Sequence, residues 1–205
     1  MKKFELTNEF VTNMFGTKLF RIRALVEFGD VEAGELGGYV EKESNLGHDD
    51  NAWVYDNAWV YGNAQVSGDA RVYGNAWVYG DAQVSGDALV YGNAWVYDNA
   101  WVYGDAQVSG DARVCGDARV CGNGDYAYAH GFGSVNRTTT FFRLKDGGVG
   151  VRCGCFYGTL AQFRDKIRET HGETKKAQEY LMLADLMELR FEEDENEVGN
   201  RKYVE

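Results

Sequence analysis

The chain has 205 residues, of which 26% are charged, and a formal net charge of −11 at pH 7. Sequence-independent binding to DNA or RNA needs Lys and Arg to displace counterions, so this balance excludes that role and suits solubility or a basic partner. There is no apolar run long enough to span a membrane, Lys2-Lys3 leads into Phe4, Glu5 and Thr7 rather than an apolar leader, and four cysteines are too sparse for a disulfide framework, so a cytoplasmic protein with reduced thiols is expected.

Residues 1 to 36 carry no repeat and are expected to form an N-terminal cap. Gly37-Gly38-Tyr39-Val40 and Asn45-Leu46 read as irregular first coils, with Val40 and Leu46 six apart and two extra residues before Val54. From Asp50 to Cys121 the chain is twelve unbroken hexads, beginning DNAWVY, DNAWVY, GNAQVS, GDARVY and ending GDARVC, GDARVC. Ala and Val two apart point to one side of a short strand, and Trp, Gln, Arg, Tyr and Ser point to the other. The Gly/Asp and Asn/Asp pair makes the corner, because these residues accept positive φ or bond their own backbone. A narrow Ala/Val interior leaves no room for a cofactor, and none is expected.

Past Cys121 the repeat decays. Gly124 takes the Ala place, Tyr126 the Val place, and His130-Gly131-Phe132 is a remnant of a hexad, so the solenoid is expected to occupy 37–133, regular over 50–121. Residues 134–191 read as a ββαα module. Two strands, 138–145 and 149–156, flank the Asp146-Gly147-Gly148 turn. Thr159 and Gln162 have capping-box spacing ahead of a Leu160, Phe163, Ile167 stripe that stops at Gly172. A second helix, 174–191, carries Ala177, Tyr180, Leu181, Ala184, Met187 and Phe191 at helical spacing. Residues 192–205 form an acidic tail with few large apolar side chains, expected to be mobile.

The hexads resemble those of the hexapeptide-repeat family. That resemblance implies a triangular left-handed parallel β-helix with three hexads per turn, and trimeric assembly. The fold expected is therefore mainly β, a left-handed solenoid with a small C-terminal α+β module. The segments LGGYVEKESNLGHDDNAWVYDNA, TTTFFRLKDG, VRCGCFYGTLAQF and ETHGETKKAQEYL together resemble phage and prophage proteins of this repeat type. This second resemblance implies a mobile-element origin and brings no activity with it.

Two function classes stand. The hexapeptide-repeat family includes coenzyme A-dependent acyltransferases that use a histidine base between subunits. Here the histidines are His48, His130 and His171, all outside the hexads, and no loop interrupts the coils to carry a base. His48 and His130 flank the prism ends and are the candidates for that chemistry. The carbonic-anhydrase type needs three zinc-binding histidines on the coils, where there are none. Cys153-Gly154-Cys155 places two sulfurs on one strand face, yet the usual zinc spacing is C-x2-C or longer, so buried thiols are expected and no metal. Cys115 and Cys121 replace Tyr and Ser elsewhere in the repeat and read as surface substitutions.

The other class, which we take forward, is a non-catalytic binding or assembly protein. At 18-residue spacing Trp59, Trp77 and Trp95 form one column with Tyr61, Tyr79 and Tyr97 beside it, an aromatic wall that reads as a contact surface or as coil-stabilising stacking. A second column runs Tyr55, Tyr73, Tyr91 and Ser109. Gln65, Gln83, Ser67 and Ser85 make the third side polar until Trp101 and Tyr103. The repeat holds nine Asp against three Arg, and Asp69, Asp87 and Asp105 form an acidic ladder that reads as a solvated corner or a loose imitation of a phosphate row. The partners expected are sister subunits and a host protein or small signal molecule, with inhibition of a host defence component as one use.

Overall fold

The computed structural model describes residues 2–133, 135 and 137–192, so the tail from 193 onward lies outside the described residues. The protein is mainly β: a solenoid with two helices at its C-terminal end. Twelve two-residue strands run from β4 (Trp53–Val54) to β15 (Arg119–Val120), one per hexad. They stack in parallel at 18-residue register, for example Trp59 on Trp77 and Val60 on Val78, so three hexads make a turn and the prism has three sheets. All twelve Ala and all twelve Val side chains are fully buried, as the A-x-V spacing requires. The first residue of every corner has positive φ, supplied by nine glycines and by Asp50, Asp56 and Asp98.

The first coil is irregular. Strand β3 (Leu36–Val40) pairs with the regular coils at 20-residue register, Val40 on Val60, and Leu46 bridges Val66, which absorbs the two extra residues. Gly37 and Gly38 are needed where this coil presses on the next, since a Cβ on either would lie 2.5 and 2.7 Å from the Val54 and Ala58 carbonyl oxygens. Strands β1 (Phe4–Thr12) and β2 (Lys18–Ala24) form an antiparallel hairpin that extends the Trp59 sheet beyond β3. Phe4 and Phe28 cover Trp53 at 6.2 and 5.3 Å between ring centroids. Trp53 takes the outward position of its hexad, as expected, yet is fully buried under the N-terminal segment.

The solenoid is polar along its axis, and its two ends need opposite chemistry. The central hexads each send three N–H groups to carbonyls of the following coil, as Asn57, Trp59 and Tyr61 do to Gly74, Ala76 and Val78. The N-terminal end is therefore left mainly with carbonyls and the C-terminal end mainly with N–H groups. Donors close the first: Lys3 Nζ bonds the Asp50 and Ala52 carbonyls, and Asn45 Nδ2 the Gly62 and Ala64 carbonyls. Acceptors close the second: Asn123 Oδ1 takes the Gln107 N–H, Thr140 Oγ1 the Arg113 N–H, and Asp125 Oδ2 those of Cys121 and Gly122.

Beyond the coils lies a four-stranded antiparallel sheet, β16 (Tyr126–Phe132), β17 (Arg137–Arg143), β18 (Val149–Cys153) and β19 (Phe156–Thr159), rather than the two-stranded hairpin expected. The segment read as a decaying hexad is its first strand. Tyr126-Ala127-Tyr128-Ala129 alternates with period two, which serves an antiparallel edge as readily as an A-x-V coil. Strand β17 shares its residues between two cores: Phe142 joins the solenoid core and Phe141 the helix core. Helix α1 (Leu160–His171) starts on the Thr159/Gln162 capping box, and α2 (Lys175–Phe191) on Thr174. They bury Phe163, Ile167, Tyr180, Ala184 and Met187 against the sheet.

Candidate contact surface

The outward position of each hexad builds the surface. Trp59, Trp77 and Trp95 stack face to face, 4.8 Å between successive centroids and within 5° of parallel. Tyr61, Tyr79 and Tyr97 stack beside them at 5.0 and 4.9 Å. The tryptophan column is longer than the sequence reading had it. Tyr39 is in register above Trp59 with the Arg21 guanidinium over its ring at 5.2 Å, and Arg113 closes the foot, 4.3 Å over Trp95. Arg113 follows Trp95 by one 18-residue turn and was legible; Tyr39 was hidden by the two extra residues.

The two columns differ in cover. The indoles are half-buried, whereas Tyr61 and Tyr97 are buried, Tyr61 beneath Leu19 and Tyr97 with Arg152 6.0 Å over its ring. Burial raises the phenol pKa along this column, at Tyr79 to about 12, so these hydroxyls stay protonated at neutral pH. Cys115 continues the tyrosine column and is buried as well, which corrects the surface reading. It interacts with Tyr97 and Arg152, and the Tyr157 hydroxyl sits against its neighbour Gly116. Burial lifts the Cys115 thiol to about 11.

The remaining predicted residues are dispersed. Tyr73 stacks on Tyr91 at 4.9 Å, while the Tyr55 hydroxyl donates to Asp30. Gln65 and Gln83 are exposed, and Arg119 lies 4.3 Å over Trp101. Asp69, Asp87 and Asp105 are exposed at corners, with Asp69 accepting from the Asn51 side chain at 2.8 Å. His48 stacks on Phe4 at 4.6 Å, His171 on Tyr180 at 5.9 Å, and His130 Nδ1 lies 2.9 Å from Thr138 Oγ1, so the three stand in three places. Cys153 and Cys155 do not share a strand face: Gly154, at φ +59, turns the chain between β18 and β19, leaving Cys153 partly covered and Cys155 exposed. Among the described residues no group of three His, Cys, Asp or Glu could hold a metal ion, and no helix is long and apolar enough to cross a membrane. Sequence reasoning missed one apolar feature. Met182, Leu186 and Leu189 leave an exposed stripe on α2, detectable in their four- and three-residue spacing.

Stacked identical coils with an Ala/Val interior define a β-solenoid repeat protein. Its residues 64–80, 82–98 and 106–122 match the family model described as YdcK Beta solenoid repeat. A comparison with curated proteins finds no match.

Proposed function

We propose that the protein is a non-catalytic binding and assembly protein whose tryptophan face is its principal contact surface. The observation that carries this reading is the rigid, half-exposed stack of three indoles bracketed by two arginines. It offers aromatic area already fixed in place, so little side-chain entropy is lost when a partner covers it. In this reading the coils are left-handed and three chains assemble. The chain is of phage or mobile-element type and works in the host cytoplasm. The C-terminal module adds a second contact through the α2 stripe, and the partner is a host protein or small signal molecule of a defence system.

Separation of the three histidines, each held by a ring or a hydroxyl, supports a non-catalytic role. Titration with acetyl-coenzyme A should give no heat. Micromolar binding lost on His48→Ala or His130→Ala would restore the acyltransferase alternative. For the face itself, Trp77→Arg is the sharpest probe because arginine already occupies this hexad position at 71, 113 and 119. The coils should keep their melting temperature while self-association or partner capture is lost; an unchanged assembly overturns the reading.

A further inference from the structure

Of the described arginines, nine direct the guanidinium at a carboxylate, a hydroxyl or a backbone carbonyl. Among the described residues Arg113 and Arg137 direct theirs at none, and these two line the same groove. It is about 490 Å³ and lies at the foot of the tryptophan column, between the last coils and the β17 and β18–β19 edge of the C-terminal sheet. The Arg113 guanidinium carbon lies 4.3 Å over the Trp95 ring, a contact that engages the cation without using its N–H donors on an oxygen acceptor. Arg137 lies over the turn at Gly154, where a Cβ would come within 2.0 Å of its Nη1, so glycine there leaves the space the guanidinium occupies. In a chain of net charge −11, two guanidiniums that ion-pair with no described carboxylate line one concavity, alongside the carboxylate of Asp111.

We propose that this groove binds a phosphorylated small molecule of nucleotide size, with Arg113 and Arg137 clamping the phosphate. Two guanidinium forks match the charge of a phosphomonoester, roughly −1.5 to −2 at neutral pH. The volume is that of a small-ligand site, and the acidic remainder of the molecule disfavours a polynucleotide. Beside Arg113 on the same coils Asn75 Nδ2 donates to Asn93 Oδ1 at 3.4 Å and Asn93 Nδ2 to Asp111 Oδ1 at 3.1 Å, and the second Asp111 carboxylate oxygen can accept from sugar hydroxyls or ring N–H groups. The proposal deepens the small-molecule side of the function proposed above and does not need the tryptophan face to be an interface. Heat of binding reports on the groove and mass in solution on the face, so either can fail alone.

The test is calorimetry on the intact chain with the four nucleoside 5′-monophosphates, inorganic phosphate and adenosine. At least one monophosphate should bind, inorganic phosphate about tenfold more weakly or worse, and adenosine not measurably. Arg113→Gln and Arg137→Gln should each weaken binding by about tenfold or more. Glutamine already fills the Arg113 position of the hexad at 65, 83 and 107, so the coil tolerates the first change. Arg119→Gln, in the neighbouring column, should leave binding unaltered. The proposal is overturned if no monophosphate binds at millimolar concentration, if adenosine binds as tightly as its monophosphate, or if the double glutamine variant binds like the wild type.

Discussion

The tryptophan face and the glutamine face of the solenoid are built on the same backbone. Both carry the same buried Ala and Val, the same corner and the same coil-to-coil ladder, Trp59 N–H to Ala76 on one and Gln65 N–H to Ala82 on the other. Only the outward residues differ, Trp and Tyr on the first and Gln and Ser on the second. The fold therefore resides in the inward pair and the ladder, and the outward position is left open for recognition: Trp, Gln, Arg and Leu all occupy it without moving a strand.

The strongest way to break that comparison is through the shared core. Val78→Ala under the tryptophan face and Val84→Ala under the glutamine face should each cost about 2 to 3 kcal/mol in urea unfolding, since both lose two methylenes from a closed interior. Markedly unequal losses would mean that the indole stack holds the coils. Removing the acceptor that closes the C-terminal end of the glutamine face comes next. Asp125→Ala, which leaves the Cys121 and Gly122 N–H groups without their carboxylate, should cost about 1 to 3 kcal/mol.

Alkaline titration sharpens the contrast, because Tyr61, Tyr79, Tyr97 and Cys115, all with raised pKa, line the tryptophan side. Tyr79 is raised from 10.0 to about 12 and Cys115 from 9.0 to about 11, so the unfolded chain releases these protons before the folded one. Stability should hold to about pH 9 and then fall through pH 11 to 12, by an amount on the order of 1 kcal/mol per group. Tyr79→Phe should flatten that fall, whereas changes on the glutamine face should leave it alone. The smallest effect belongs to Gln65→Ala and Gln83→Ala, each within about 0.5 kcal/mol in stability.

The parts legible in the sequence were those whose partners sit at a fixed offset. The A-x-V pair, the corner and the two stacked columns are each determined within 18 residues, and both helices announce themselves through Thr159/Gln162 spacing and apolar stripes. What stayed hidden depends on long-range cover. Cys115 is buried where Arg152 and Tyr157 of the C-terminal sheet come down on the last coil, and Trp53 lies under Phe4 and Phe28, none of which a periodic pattern identifies. Arg137 shares a groove with Arg113 only because β17 closes the last coil, and β16 escaped because its alternation imitates a fading hexad.

Sedimentation equilibrium on the wild type, on the Trp59→Ala/Trp77→Ala/Trp95→Ala variant and on the Gln65→Ala/Gln83→Ala variant tests the central claim most directly. The wild type and the glutamine variant should sediment as the same oligomer, and the tryptophan variant as a folded 22.9 kDa monomer, each lost indole costing about 1 to 3 kcal/mol of association. A tryptophan variant that keeps the wild-type mass, or a wild type that is itself monomeric, would contradict the account and reduce the indole column to self-stacking that steadies the coils.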